Sequence, residues 1–217
     1  SACLSGPRAG RMAVCSKFVV CQPTLILMNR LKFILVLTAA VCGVTSLTAQ
    51  EKKKKEVLSP KATVQADIDG NEVKVVYSRP AMRNPKGGET RKVWGKLVPY
   101  GKVWRTGANA ATLLTTQKPI VIGGYELAAG TYSLFTQPEA DGSAKLIINK
   151  KTGQWGIPYK DDEEKANELA RVDLKKAQTD GTVDPFTMAV AKTGAGAGVI
   201  TMAWENTQYS VAFANKK

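Results

Sequence analysis

From residue 63 onward the chain is a succession of short apolar runs, each closed by a turn signal, and that spacing constrains the fold more than any single residue does. Residues 63–68 alternate between apolar and polar. Asp69, Gly70 and Asn71 supply side chains that tolerate the positive φ of a hairpin turn, and 72–77 sets Val73 and Val75 on one face. Arg79 and Pro80 end that run, and 82–91 reads as a loop rich in Pro, Gly and charge. Further strands are predicted over 112–116, 120–122, 125–127, 131–136 and 144–149, with turns at Gly123-Gly124 and across 138–143. Three more follow at 185–190, 199–204 and 208–213, joined by 194–198 and 205–207. Residues 161–164 are all acidic, as the start of a helix favours, whereas 171–175 alternates. The spacing therefore predicts an all-β fold, an antiparallel β-sandwich or flattened barrel of about 8–10 short strands, with one short helical turn near 161–169.

The cysteines are Cys3, Cys15, Cys21 and Cys42, none follows, and the chain has no His. Starting at Met28, Arg30 and Lys32 form a basic start, 33–44 is apolar, and 45–49 ends in small residues. This is the plan of a secretory signal peptide over 28–49, with cleavage near Ala49 and a periplasmic or secreted product. The apolar stretch 33–44 is shorter than the ~20 residues of a spanning helix. Val41, rather than a small residue, precedes Cys42, which argues against lipidation there. Residues 1–27 show no period and read as sequence upstream of the true start at Met28. Residues 50–58 are a charged linker and 59–215 a single β-rich domain.

An exported chain without Cys or His lacks disulfides, the commonest nucleophile–base pairs and the commonest zinc ligands, so neither a metal nor a cofactor is expected. The whole chain carries +13. Residues 1–50 hold five basic and no acidic side chains, so the 31 Lys+Arg and 18 Asp+Glu of the chain become 26 and 18 beyond residue 50. Lys52, Lys53, Lys54 and Lys55 supply much of what remains, so no nucleic-acid partner is expected. That run would touch an anionic membrane surface only weakly, at about 1 kcal/mol per Lys, and reads more plainly as a solvated linker.

The most specific run is Leu97-Val98-Pro99-Tyr100-Gly101-Lys102-Val103-Trp104-Arg105-Thr106-Gly107-Ala108-Asn109. Together with Tyr77-Ser78-Arg79-Pro80 before it and Ala129-Gly130-Thr131-Tyr132-Ser133-Leu134-Phe135 after it, the chain over about 57–214 resembles a bacterial family of exported proteins known as domain of unknown function 2911. The resemblance implies an exported, β-rich domain and no particular reaction. The family pattern carries an acidic residue directly after the Asn that matches Asn109; here that position is Ala110.

The ligand-binding candidates are Arg79, Tyr100, Trp104, Arg105 and Asn109. Arg105 offers a planar fork for a carboxylate, a phosphate or a sugar hydroxyl, and Trp104 a stacking face. The plainer alternative makes Trp104 a core plug and gives Arg105 and Asn109 the loop's own carbonyls and amides. Arg79 either joins Arg105 in an anion site or pairs with Asp67, Asp69 or Glu72. The acidic side chains Asp161, Asp162, Glu163 and Glu164 lack the spacing of a calcium loop, and 194–198 has no Lys-Ser/Thr to make a phosphate cradle. Three functions follow: a domain binding a small molecule, a glycan or an anion near the loop 104–109; a cell-envelope hydrolase or lyase using carboxylates, Arg and the hydroxyls of Tyr77, Tyr100 or Tyr132; and a structural partner-binding domain. A pocket with two buried carboxylates would favour the enzyme, and a cleft walled by Trp and Arg the binding domain.

Overall fold

The computed structural model describes residues 57–156, 159 and 164–217. The expected signal peptide 28–49, Cys42, the run Lys52, Lys53, Lys54, Lys55, and the acidic side chains Asp161, Asp162 and Glu163 lie outside the described residues.

Two antiparallel sheets face each other without closing into a barrel. The first has six strands in the order β1 (Lys61–Asp67), β2 (Glu72–Ser78), β3 (Thr112–Thr116), β6 (Gly130–Pro138), β7 (Ala144–Asn149) and β8 (Glu168–Asp173). The second has four, in the order β5 (Tyr125–Leu127), β4 (Ile120–Ile122), β10 (Ala197–Asn215) and β9 (Lys175–Gly194). The β1–β2 turn is a two-residue loop in which Asp69 and Gly70 have φ of 51° and 76°. Both positive values are what a tight hairpin of native twist demands.

The core follows from the period of two. Val73, Val75 and Tyr77 on β2, Leu114 on β3, Leu134 on β6, and Leu146 and Ile148 on β7 turn inward. They meet Ile120, Ile122, Phe186, Met188, Ile200, Met202 and Phe213 from the second sheet. β6 and β7 are buried on both faces, because Phe135 and Ile147 point the other way and pack with Ala111 under Tyr159. The continuous apolar run Leu146-Ile147-Ile148 on β7 reflects that double cover, whereas on β6 the buried Ser133 and Thr136 flank Leu134 and Phe135.

The structure departs from the sequence-based expectation in three places. The last two predicted strands are one: β10 runs unbroken through 205–207, where Glu205 takes a φ of 55° and the register with β9 shifts on either side of it. A bulge absorbs what reads as a turn. β9 begins at Lys175, well before 185, and its first half is mostly exposed. The ladder to Thr207, Gln208, Tyr209 and Ser210 holds that half through the backbone, so it needs no apolar alternation. The helical turn near 161–169 is confined, among the described residues, to Glu164 and Lys165; Glu168 already belongs to β8.

The connection 79–111 between β2 and β3 is bonded to both sheets, to the second where Phe186 N donates to Pro80 O at 2.9 Å and Trp94 Nε1 donates to Trp204 O at 3.2 Å. Midway along it Trp104 pairs with β6 as a strand residue would: its N–H donates to Thr136 O at 2.8 Å, and Thr136 N–H donates to Trp104 O at 2.7 Å. That pairing drops the indole into the core. It stacks on Trp204 at 5.9 Å and 21° and meets Phe186 edge-on at 5.0 Å and Trp94 at 6.1 Å. Aromatic pairs of this geometry contribute about 0.5–1.5 kcal/mol each beyond the area they bury.

Candidate functional site

The loop after Trp104 is tied at almost every residue. Trp104 Nε1 donates to Gly107 O at 3.0 Å, closing the turn from within. Thr106 is fully buried with a φ of 52°, a backbone position that β-branched residues rarely occupy. Its hydroxyl meets that of Thr136 at 2.7 Å, and its carbonyl accepts from Thr112 Oγ1 at 2.7 Å. Gly107 passes so close to β2 that a Cβ would lie 2.8 Å from Ser78 O. Asn109 ends the loop with a φ of 63°.

These constraints position Arg105. Its Nη1 donates to Asn109 O at 2.6 Å and to Trp155 O at 3.3 Å. Its aliphatic stem lies against Gly156, where a Cβ would come within 2.8 Å of Arg105 Cβ and 2.9 Å of Cδ. Burial pushes the guanidinium below the ordinary arginine pKa, and the group stays charged throughout the physiological range.

Around Arg105 opens a cleft of about 720 Å³. Trp104 and Trp204 contribute to its lining from the core, Arg83, Arg91 and Arg105 supply its charge, and Trp155 stands on its wall. Arg91 shapes one rim by donating to the carbonyls of Ala81 at 2.8 Å, Arg83 at 3.1 Å and Met82 at 3.3 Å. The Asp184 carboxylate holds the same rim by accepting from Met82 N at 2.8 Å. Among the described residues no Asp, Glu or Tyr lines the cleft. Among the same residues, four large apolar side chains are exposed: Val57 and Trp155 at 65 %, Leu58 at 52 % and Tyr100 at 41 %. All but Tyr100 line the cleft.

Of the five residues singled out from the sequence, Trp104, Arg105 and Asn109 meet here. Arg79 and Tyr100 lie elsewhere. Arg79 turns to β9, donating to Phe186 O at 3.3 Å and Thr187 Oγ1 at 3.0 Å. Tyr100 lies over Gly95. Of the other tyrosines, Tyr77 is buried, its hydroxyl accepting from Met188 N at 2.9 Å, and Tyr132 donates to Ala128 O at 2.9 Å.

Sequence reasoning missed Arg83, Arg91 and Trp155. The one local signal was at Trp155, a large aromatic set between Gly153 and Gly156.

A family model described as Protein of unknown function (DUF2911) matches residues 59–213. The chain belongs to this family. No curated protein and no solved structure matches it. The family's span takes in every described lining residue of the cleft except Val57 and Leu58.

A second polar arrangement sits on the outer face of β6 and β7. The Tyr159 hydroxyl donates to Glu168 Oε1, and Arg171 grips both oxygens of the same carboxylate at 2.8 Å and 2.6 Å. Burial first, then the Glu168 bond, pushes the Tyr159 hydroxyl well above the ordinary tyrosine range. Burial alone would raise Glu168, but the bonds from Arg171 and Tyr159 outweigh it and leave the carboxyl below its usual value. All three side chains are engaged with one another, with Tyr159 packed edge-on to Phe135 at 4.9 Å.

Proposed function

We propose that the protein is an exported binding domain whose ligand site is the cleft at the loop 104–109. The observation that carries this reading is the gathering of exposed apolar side chains in one place. Val57, Leu58 and Trp155 surround a cleft whose lining includes Trp104 and Trp204. Leaving such surface in water forgoes about 25 cal/mol per Å², and a contiguous apolar patch rimmed by polar groups marks a place that another molecule covers. A volume of 720 Å³ suits a small ligand, for which sites run from roughly 300 to 1,000 Å³. A hydrolase or lyase would need an acid, a base or a carboxylate pair at the cleft, and the described lining residues supply none. Export rests on the sequence of 28–49.

The test is a thermal-shift and tryptophan-fluorescence screen of glycans, organic anions and apolar compounds against the full chain. Hits that vanish in Trp155→Ala, with unfolding unchanged, support the reading. A screen without hits overturns it. For export, amino-terminal sequencing of the protein recovered outside the cytoplasm should begin near Gln50 or Glu51; a mature start at a lipidated Cys42 overturns that half of the proposal.

A further inference from the structure

Resting on that reading, we infer that the ligand of the cleft is an organic carboxylate: a planar anionic head, held by the free edge of Arg105, on an apolar body that lies against Trp155.

Three observations lead there. First, among the described residues lining the cleft every charged side chain is an Arg. Of these, Arg105 and Arg91 are each satisfied only by backbone carbonyls, with no carboxylate in contact among the described residues. A half-buried cation without a counter-charge keeps a desolvation cost that an anionic ligand would offset. Second, Arg105 is used on one side only. Nη1 takes both carbonyls, whereas Nε and Nη2 donate to nothing among the described residues. Those residues contain no buried side-chain nitrogen without a partner, so both atoms are reached by solvent. Nε and Nη2 share one side of the guanidinium, and their N–H groups point the same way. This is the fork that meets the two oxygens of a carboxylate with parallel bonds of about 2.7–2.9 Å. Third, most of the other described lining residues are apolar, with Leu58, Pro80, Leu97 and Trp155 among them. A glycan presents hydroxyls that need acceptors as well as donors, and among the described lining side chains only Asn109 and Ser59 offer an acceptor. The same wall leaves the polar body of a nucleotide unsatisfied.

The experiment is calorimetric titration of the full chain with decanoate and 2-naphthoate, each beside its uncharged counterpart (decan-1-ol and 2-naphthol), and with cellohexaose as a neutral glycan. At least one carboxylate should bind about tenfold or more tightly than its alcohol, the ratio that one charge-assisted fork can supply. Arg105→Ala should bring the pair near parity. Arg105→Lys should restore only part of the difference, because a point charge cannot present the fork. Trp155→Ala should weaken acid and alcohol alike. Equal binding of acid and alcohol to the unaltered protein overturns the carboxylate inference and leaves the cleft standing as a binding site. Binding of cellohexaose with both acids silent does the same. Silence from all five probes overturns the inference, and together with an empty screen removes the cleft reading as well. The acid-to-alcohol ratio is read in the unaltered protein, so the result does not depend on any variant folding.

Discussion

β2 and β3 each run between two very different polar sites. At one end Asn71 is fully buried and saturated. Its Oδ1 accepts from Lys118 N at 2.9 Å, Gln117 N at 3.1 Å and Thr116 Oγ1 at 3.2 Å, while Nδ2 donates to Asn215 Oδ1 at 2.7 Å and Lys118 O at 3.4 Å. At the other end Arg105, just ahead of β3, uses Nη1 twice and leaves Nε and Nη2 open among the described residues. Both residues lock chain segments that are distant in sequence. Asn71 has no capacity left for anything else, whereas Arg105 has. A polar side chain whose hydrogen-bonding groups are all taken by the protein is explained by the fold. One that is fixed in place and still half unused, in a cleft, keeps donors that the proposed ligand would engage.

That contrast can be broken at several points. The largest effect belongs to Trp104→Ala, which empties the centre of the aromatic cluster that both the fold and the cleft rely on. It should cost about 3–5 kcal/mol in a denaturant melt, and a loss under about 1 kcal/mol would mean the indole is not part of the core. Asn71→Ala comes next, at about 2–4 kcal/mol, because it strips the acceptor from Lys118 N, leaves Gln117 N with only Glu72 O at 3.3 Å, and leaves Asn215 facing an unfilled space. Arg105→Ala should cost less, about 0.5–1.5 kcal/mol, since Asn109 O and Trp155 O can turn to water. If Arg105→Ala proves as damaging as Asn71→Ala, the distinction between a saturated hub and a half-used one collapses.

A smaller effect is pH-dependent. Although burial alone would raise it, the bonds from Arg171 and Tyr159 hold the Glu168 carboxyl below the ordinary glutamate value in the folded protein, so its contribution is complete above that ordinary value and is lost as the pH falls through the lowered folded pKa. Stability of the unaltered protein should exceed that of Glu168→Gln at neutral pH, and the gap should close in acid. A gap that persists unchanged at pH 2 would detach the carboxylate's charge from the network. Trp155→Ala should change stability least, within about 0.5 kcal/mol, as exposed positions do. Its effect should appear in ligand binding alone, which makes it the sharpest separation of the two kinds of site.

The sequence by itself located most of the strands of the first sheet and the hairpin turns at Asp69-Gly70 and Gly123-Gly124, but neither the start of β9 nor the unbroken run of β10. Period-two burial and the tolerance of positive φ at Asp69 and Gly70 are local properties, and the strands Thr112–Thr116, Ile120–Ile122, Tyr125–Leu127 and Ala144–Asn149 follow from them residue for residue. It also put forward five residues for a site, Arg79, Tyr100, Trp104, Arg105 and Asn109, of which the last three line the cleft. It did not determine which way a loop side chain faces. Arg79 looked as able to reach Arg105 as any residue near it, yet it turns to Phe186 and Thr187 on β9. Trp155 meets Arg105 only because the segment after β7 folds over the outer face of the first sheet, where Phe135 and Ile147 need cover. β10 continues through Glu205 because β9 lies alongside to hold it. In each case the deciding partner is dozens of residues away, and a contact of that kind is set by which surfaces must be buried together, a balance struck only once both sheets are assembled.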